Sequence, residues 1–199
     1  MGKNEQQGRI TVKKNPRNIV IITRPLVFKY RHDWNLRKIF WEFVLTWKAF
    51  LHGLSDMPIL VGPVLVRKTT YGTLLAKSEL KSSLDYLIEA AAELSRAGIE
   101  HNELRHPQYH VIVQEKGVKI LDFERGKLTG RPKNVSRVTV WLLERGVNPD
   151  ELENKLKELK NVPENDLRGA FRPVRIHQEW KRSRRRGSQD QRSLRAASD

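Results

Sequence analysis

The chain has 199 residues, 38% of them hydrophobic, which suits one domain or one small two-lobed unit with a buried core. It contains no cysteine, which excludes disulfides, thiol nucleophiles and cysteine zinc sites. The formal net charge of +15 favours nucleic acid, nucleotide phosphates or an acidic partner. No apolar stretch follows the first basic residues, so we do not expect a secretory signal, and we expect a cytoplasmic protein without membrane contact.

The first part of the chain is predicted to contain strands and one helix. Short β-rich runs cover 9–13, 18–23, 26–30, 61–70 and 72–80. The first three follow one another closely, which predicts an antiparallel meander. Apolar residues recur at helical spacing from Leu36 to Leu51, with Asn35 as the cap. This helix is too short to span a bilayer and carries charges, so we interpret it as buried.

The second part is predicted to be mainly helical. The predicted elements are a helix that begins at Ser82 or Ser83 and stops at Gly98, a hairpin over 110–123, and helices over 134–145 and 149–159. This order predicts an α+β chain with a sheet-rich N-terminal part and a helical C-terminal part.

The end of the chain is strongly basic. Residues 171–199 include the block KRSRRR at 181–186, and apolar residues are sparse after Val174. This composition predicts a mostly disordered basic tail. The tail is either simply solvated or contacts RNA or the ribosome, and the sequence leaves both interpretations open.

The stretch GIEHNELRHPQYHVIV, residues 98–113, concentrates histidines around one carboxylate. His101, Glu103, His106 and His110 could ligate a metal. Their spacing does not match H-E-x-x-H, and Pro107 argues against one regular helix through the stretch. A structural metal site is therefore the less favoured interpretation.

The same stretch has the layout of a phosphotransfer loop. Protein kinases place H-R-D-x-x-x-x-N between a helix and a hairpin that ends in D-F-G. Here His101, Glu103, His110 and the D-F-E at 122–124 occur in that order, with Glu for Asp and His for Asn. This layout predicts Glu103 as the base or orienting residue, Asp122 as a magnesium ligand and His101 as support for the loop. His110 takes the place of the metal-binding Asn. It is either a magnesium ligand or, because magnesium prefers oxygen ligands, a residue that holds the loop by a hydrogen bond to Glu103 or to the backbone.

A kinase also needs a lysine on its third strand, paired with a glutamate on the next helix. Lys29 lies in the third strand-like run, and Glu42 is the only carboxylate of the apolar helix that follows. We predict that they form an ion pair in which Lys29 binds phosphates. The alternative is that both are ordinary surface residues. Glu79 and Leu80, after the fifth strand, are the predicted place for hydrogen bonds to adenine.

Residues 98–113 followed by ILDFERGKLTGRPKNVSRVTVWLLERG resemble the small archaeal-type predicted serine/threonine protein kinases, which are relatives of the RIO kinases and of the small kinase in the threonylcarbamoyl-adenosine tRNA-modification complex. The loop glutamate, the H-P pair, Y-H before the strand, D-F-E-R and P-K-N-V carry the resemblance over 98–146. It implies a minimal two-lobed protein-kinase-like fold, ATP with magnesium, and phosphorylation of protein Ser/Thr or autophosphorylation. The corresponding division is an N-lobe-like part (1–80), a C-lobe-like part (81–170) and the basic tail (171–199).

One departure concerns the phosphate-binding turn. Kinases cover the phosphates with a glycine-rich turn between their first two strands, but the turn at 14–17 contains no glycine. Lys13, Lys14 or Arg17 could supply positive charge there instead. Together with the basic tail, this departure supports an alternative function, a catalytically weak or inactive kinase-fold scaffold that binds RNA or the ribosome.

Overall fold

The N-terminal part of the protein is a five-stranded antiparallel sheet. The computed structural model describes residues 10–14, 18–23, 25–31, 33 and 35–196, with side chains up to residue 180. The strands are β1 (Thr11–Lys14), β2 (Asn18–Ile22), β3 (Leu26–Arg31), β4 (Pro58–Val61) and β5 (Val64–Lys68). Their order is β1-β2-β3-β5-β4. Because side chains alternate between the two faces of a strand, Val20, Lys29 and Leu65, which are partners in register, share one face.

Helix α1 (Leu36–Leu51) packs against β4 and β5 and has the predicted bounds. The side chain of Asn35 accepts a hydrogen bond from the backbone N–H of Lys38 at 3.1 Å, which confirms the predicted cap. Leu45 and Ala49 on the inner face of the helix are fully buried. This packing fixes the direction in which Glu42, on the same helix, presents its carboxylate.

The predicted strands at 61–70 and 72–80 differ from the structure. A turn at Gly62, whose φ is +54°, separates β4 from β5, so a single strand does not cover the first region. The second region contains only the two-residue strand β6 (Thr73–Leu74), a 3-10 turn (Leu75–Lys77) and the start of a helix. Both regions mix apolar and polar residues without a strict alternation, and such a pattern does not reveal where a strand is interrupted.

The remaining described residues are mainly helical. The helices are α2 (Leu80–Arg96), α3 (Asn134–Glu144), α4 (Pro149–Glu158) and α5 (Glu164–Ala196). Two small antiparallel sheets lie among them, β6-β8-β9 with β8 (Val111–Gln114) and β9 (Gly117–Ile120), and β7 (Ile99–Glu100) with β10 (Lys127–Leu128). The predicted α+β class is confirmed.

The main hydrophobic core lies in this second part. Leu94 of α2, Leu142 of α3, Leu152 of α4 and Ile120 of β9 are all fully buried and belong to one cluster. Burial of each such side chain contributes about 1.5–3 kcal/mol to the hydrophobic stabilisation of the fold. The loop between β7 and β8 and the segment after β9, which carry the predicted catalytic residues, are therefore anchored on a rigid base.

The C-terminal segment is helical over most of the region predicted as a disordered tail. Helix α5 runs to Ala196, and Ala170 and Val174 on it are fully buried. With the partly buried Leu167 and Phe171 they follow the spacing i, i+3, i+4, i+7, an apolar stripe that packs against α3 and α4. The many basic residues around this stripe lower the mean hydropathy of the segment, so a prediction from composition does not detect the stripe.

Within the described residues, no helix combines the length and apolar character that crossing a membrane requires. The chain leaves the five-stranded sheet after Lys68 and next pairs at β6 with β8 of the helical part. The passage between the two parts thus lies at 69–72, earlier than the predicted division at residue 80.

Candidate active site

Lys29 and Glu42 form a buried ion pair. Strand β3 presents the Lys29 side chain on the inner face of the sheet, and helix α1 presents Glu42 towards it. The Lys29 Nζ to Glu42 Oε1 distance is 2.8 Å, and the Glu42 side chain is only 3% exposed. The other carboxylate oxygen of Glu42 is buried and has no hydrogen-bond partner among the described residues. The structure therefore brings the two residues together as the kinase interpretation predicts, and their surface alternative does not apply.

Asp122 is a second carboxylate that contacts Lys29. Its Oδ1 lies 2.8 Å from Lys29 Nζ, and its side chain is 42% exposed. The residue follows β9 and has a φ of +62°, which is uncommon for a residue other than glycine. Such backbone conformations persist only where the surrounding structure holds them, and they concentrate at functional sites.

Glu124 is a further carboxylate of the site, and no role was predicted for it. It accepts hydrogen bonds from Lys29 at 3.3 Å, Arg31 at 2.6 Å and Asn18 at 2.8 Å. Arg31 is 2% exposed and also bonds Asp33. The sequence contained a sign that Arg31 belongs to the site, because Arg31 lies two residues after Lys29 and so points to the same face of β3. Its partner, however, lies 93 residues away.

Charge and burial act together on these groups. Burial lowers the pKa of Lys29, but the carboxylates of Glu42 and Asp122 outweigh burial and raise the pKa above its usual value. Burial raises the pKa of Asp122, but Lys29 outweighs burial and lowers it. Burial also raises the pKa of Glu42, and the Lys29 ammonium offsets part of that rise. Lys29 is thus a permanent cation held between two carboxyl groups.

Glu103 lies in a 3-10 turn (Asn102–Arg105) close to Asp122. Its carboxylate is 3.7 Å from His110 Nδ1 and 3.6 Å from Arg125 Nε. Burial, followed by the charge of Asp122, raises the pKa of Glu103. A carboxylate with a raised pKa beside a cleft is suited to accepting a proton.

His101 supports the loop from below and is 1% exposed. One of its ring nitrogens lies 3.1 Å from the carbonyl oxygen of Leu121, and its ring meets Phe123 edge-on at 4.9 Å. Burial lowers the pKa of His101 to about 4, so the ring is neutral at pH 7. Its backbone N–H donates to the side chain of Asn134 at 2.9 Å, and Asn134 is the asparagine of P-K-N-V at the start of α3.

Among the described residues, two clusters of ligand atoms could hold a divalent cation. Glu103, His110 and Asp122 form one, and Glu42, Asp122 and Glu124 form the other, with the ligand atoms of each cluster within 4.8 Å of one another. Magnesium prefers oxygen ligands, which Asp122 and Glu103 supply and His110 does not. His106, by contrast, is exposed and belongs to neither cluster.

A cavity of about 490 Å³ opens beside Lys29. Its cationic walls come from Lys13, Lys14, Lys29 and Arg67, and its apolar walls include Val20, Val27 and Leu65. Residues 15–17 of the glycine-free turn lie outside the described residues.

Glu79 and Leu80, the predicted adenine contacts, do not line this cavity. They form the N-terminus of α2, because the chain passes between the two parts at 69–72 rather than near residue 80.

Comparison with known proteins finds similar folds by structure alone. No protein-family model and no curated protein matches the sequence. The 2.2 Å crystal structure of WbdD matches with a TM-score of 0.58 and 17% identity, over 87% of this chain and 46% of that chain. The co-crystal structure of WbdD with the kinase inhibitor LY294002 matches with a TM-score of 0.56 and 15% identity, over 83% and 44%. The Rio2 kinase–ADP/Mg²⁺–phosphoaspartate complex from Chaetomium thermophilum matches with a TM-score of 0.54 and 12% identity, over 83% and 61%.

The fold is protein-kinase-like. The minimal two-lobed architecture that the sequence predicts is confirmed. Sequence identities this low show similarity of fold and nothing further. This chain spans less than half of the WbdD chains and 61% of the Rio2 chain. In this kinase-like fold, the sheet and α1 provide Lys29 and Glu42 of the candidate site. The loop and the hairpin of the helical part provide Glu103 and Asp122 of the same site.

Proposed function

We propose that the protein transfers a phosphoryl group from ATP, with Mg²⁺, to serine or threonine of a protein substrate or of its own chain. The observation that carries this proposal is the position of Lys29, held at 2.8 Å by both Glu42 and Asp122 on the wall of the 490 Å³ cavity. The kinase-like neighbours support phosphoryl transfer as the reaction class. The motifs at 98–146 support serine/threonine specificity of the small RIO-like type.

The cavity has the chemistry that a nucleoside triphosphate requires. Lys13, Lys14 and Arg67 surround Lys29 and offer positive charge to phosphates, while Val20 and Leu65 offer an apolar wall to a base. Lys13 and Lys14 belong to β1, beside the turn where kinases carry glycine. Their ammonium groups therefore bind the phosphates that backbone amides of a glycine-rich turn bind in other kinases. ATP would supply the phosphoryl group, and Mg²⁺ would neutralise the charge that develops on its oxygens.

The residues of the chain then have distinct tasks. Lys29 binds phosphate oxygens, and Glu42 holds Lys29 in place. Asp122, with the oxygens of Glu103 nearby, would hold the metal. Glu103 orients the substrate hydroxyl and accepts its proton, because its raised pKa brings proton affinity closer to neutral pH.

Nucleotide binding is tested first, by thermal shift with ATP and Mg²⁺. We expect millimolar ATP·Mg²⁺ to raise the melting temperature of the protein, because a ligand that binds only the folded state stabilises it. Lys29→Met should abolish the shift. Lys68→Met is the matched control, since Lys68 is an exposed lysine on the opposite face of the same sheet. An equal shift in Lys29→Met and in the original protein would contradict the site.

Transfer is tested with labelled ATP, by autophosphorylation and with a generic protein substrate, and the products are mapped by mass spectrometry. Asp122→Asn should lower the rate at least about 100-fold, because the charge at the metal position is lost. Retained activity in this variant would refute the assignment of Asp122. Binding of ATP by a protein that transfers no phosphate would favour the scaffold alternative.

A further inference from the structure

A second groove lies on the helical part, outside the cavity at Lys29. It has a volume of about 650 Å³ and is lined by the turn that follows Glu103, by α3 and by α5. Four cationic side chains line it, those of Arg105, Lys133, Arg137 and Arg172, against one acidic side chain, that of Glu144. The groove is therefore strongly positive, and the phosphotransfer function does not use it.

Most of this charge is available to a ligand. Arg137 is already engaged, since it forms an ion pair with Glu100 and donates to Asn102 at 3.0 Å. Arg105, Lys133 and Arg172 are exposed, and none of them has an ion-pair partner among the residues whose side chains are described.

Trp141, also in the lining, has a buried indole N–H without an acceptor in the described part of the chain. Uncompensated cations and an unpaired donor in one groove favour an anionic ligand.

The positive surface continues along α5. Arg168, Arg172 and Arg175 recur at i, i+4 and i+7, so they share one face of the helix, and they line an adjoining hollow of about 350 Å³. The backbone of α5 continues beyond them through the basic block at 181–186. From residue 172 to residue 186 the helix rises about 21 Å. That is about six nucleotides of one strand at about 3.4 Å each.

We propose that this basic groove and the arginine face of α5 form one binding surface for the phosphodiester backbone of a nucleic acid. A linear array of arginines matches a linear polyanion, and the planar guanidinium group matches phosphate oxygens. An acidic polypeptide carries a less regular charge and is the less favoured ligand. The surface begins at Arg105, two residues after Glu103, so a bound strand would run from the candidate active site towards the C-terminal end of α5.

The test measures binding of labelled 20-nucleotide RNA and DNA strands to the full chain by fluorescence anisotropy, over a series of salt concentrations. We expect the Kd to rise steeply with salt. The double variant Lys133→Ala/Arg172→Ala should weaken binding at least about tenfold and lower the slope of log Kd against log salt by about 2. The matched control is Lys77→Ala/Lys116→Ala, which removes the same charge from two exposed lysines elsewhere and should change Kd less than about twofold.

Three results would overturn the proposal. If the control weakens binding as much as the groove variant, net charge alone attracts the strand. If the groove variant binds normally but a full-length chain with glutamines for the basic residues of 181–186 does not, the end of the helix binds without the groove. If polyglutamate of equal charge displaces the strand as well as unlabelled RNA does, the ligand is an acidic polypeptide.

The comparison of RNA with DNA identifies the source of the phosphodiester. Stabilisation by ATP·Mg²⁺ should be unchanged in the groove variant, so this surface and the phosphotransfer site can fail separately.

Discussion

At the scale of single residues, Asp122 depends on neighbours that take no part in chemistry. Its positive φ is held between Leu121, whose carbonyl oxygen lies 3.1 Å from a ring nitrogen of His101, and Phe123, which is 1% exposed. His101 thus contacts the residues on both sides of Asp122. The histidine that the sequence assigned to loop support has a physical means of providing it, because it fixes the backbone from which the Asp122 carboxylate projects.

This role predicts a pH dependence of stability. The pKa of His101 is lowered to about 4 in the folded state from an ordinary value of 6.5, because burial disfavours the charged ring. Because the pKa is lower in the folded state, neutral His101 makes its full contribution to the free energy of unfolding above pH 6.5, and this contribution is lost as pH falls towards 4. The contribution lost by pH 4 is about 3 kcal/mol, from 1.36 kcal/mol per pKa unit.

Urea denaturation at pH 7 and pH 4 checks this dependence. The original protein should lose about 3 kcal/mol more of its free energy of unfolding than His101→Gln loses over the same interval. His106→Gln, at an exposed position, should behave as the original protein does. An equal loss in the original protein and in His101→Gln would refute the link between this residue and acid sensitivity.

At the scale of elements, predictability follows the kind of signal each element carries. Helix α1 was predicted with its bounds because its apolar residues repeat every three to four positions and Asn35 caps it. The strand predicted over 61–70 covers β5 but runs through the turn at Gly62, and most of β4 (Pro58–Val61) was not predicted, because the short apolar run has no period that marks the turn. Helix α5 was missed because its short apolar stripe is surrounded by arginine and lysine. These residues lower the mean hydropathy of the segment, and a low mean hydropathy is what predicts disorder.

Helix α5 also holds the base of the loop that carries Glu103, through Asp166. This carboxylate is fully buried and accepts hydrogen bonds from the backbone N–H groups of Val135 and Ser136 at 3.0 and 2.9 Å and from the hydroxyl of Ser95 at 2.6 Å. It therefore stabilises the N-terminus of α3 from another helix, where a negative charge also suits the helix dipole. The side chain of Asn134 at that N-terminus accepts a hydrogen bond from the backbone N–H of His101, so the start of α3 also holds the loop in place.

We expect Asp166→Ala to lower the free energy of unfolding by about 3 kcal/mol, because it removes a buried acceptor of three hydrogen bonds and leaves the backbone N–H groups of Val135 and Ser136 without that partner. Phosphotransfer should slow as well, since the loop loses its anchor. Glu164→Ala, two residues earlier and 77% exposed, should cost less than about 0.5 kcal/mol. Chemical denaturation of both variants measures the difference, and equal stabilities would contradict an anchoring role for Asp166.

At the scale of the whole molecule, the site lies where the sheet part meets the helical part. Lys29 and Glu42 come from the sheet part, and Asp122 and Glu124 come from the segment after β9. The order of motifs along the chain made the first three predictable, since each has a recognisable neighbour in sequence. The contacts of Glu124 with Arg31 and Asn18 were not predicted, although Glu124 lies in the D-F-E stretch, because no motif in the sequence assigns Glu124 a partner and the contacting residues lie 93 and 106 positions apart.

Glu124 ties the two parts together, and its removal tests how far they depend on each other. In Glu124→Ala, Arg31 keeps only Asp33 as its carboxylate partner among the described residues, and Asn18 and Lys29 each lose an acceptor. We expect the free energy of unfolding to fall by about 2–3 kcal/mol, because a nearly buried cation loses part of its compensation. Hydrogen exchange should accelerate in β2 and β3 more than in α2, whose core contacts stay intact.

The matched control is Glu115→Ala, which removes an exposed carboxylate from the hairpin of β8 and β9 and should leave stability within about 0.5 kcal/mol of the original. Exchange that accelerates equally in the sheet and in α2 would show that Glu124 stabilises the whole fold rather than the contact between its two parts. Unchanged exchange in β2 and β3 would show that the sheet is held without it. The predicted pattern, a local loss confined to the sheet, follows only if Glu124 joins the strand that carries Lys29 to the segment that carries Asp122.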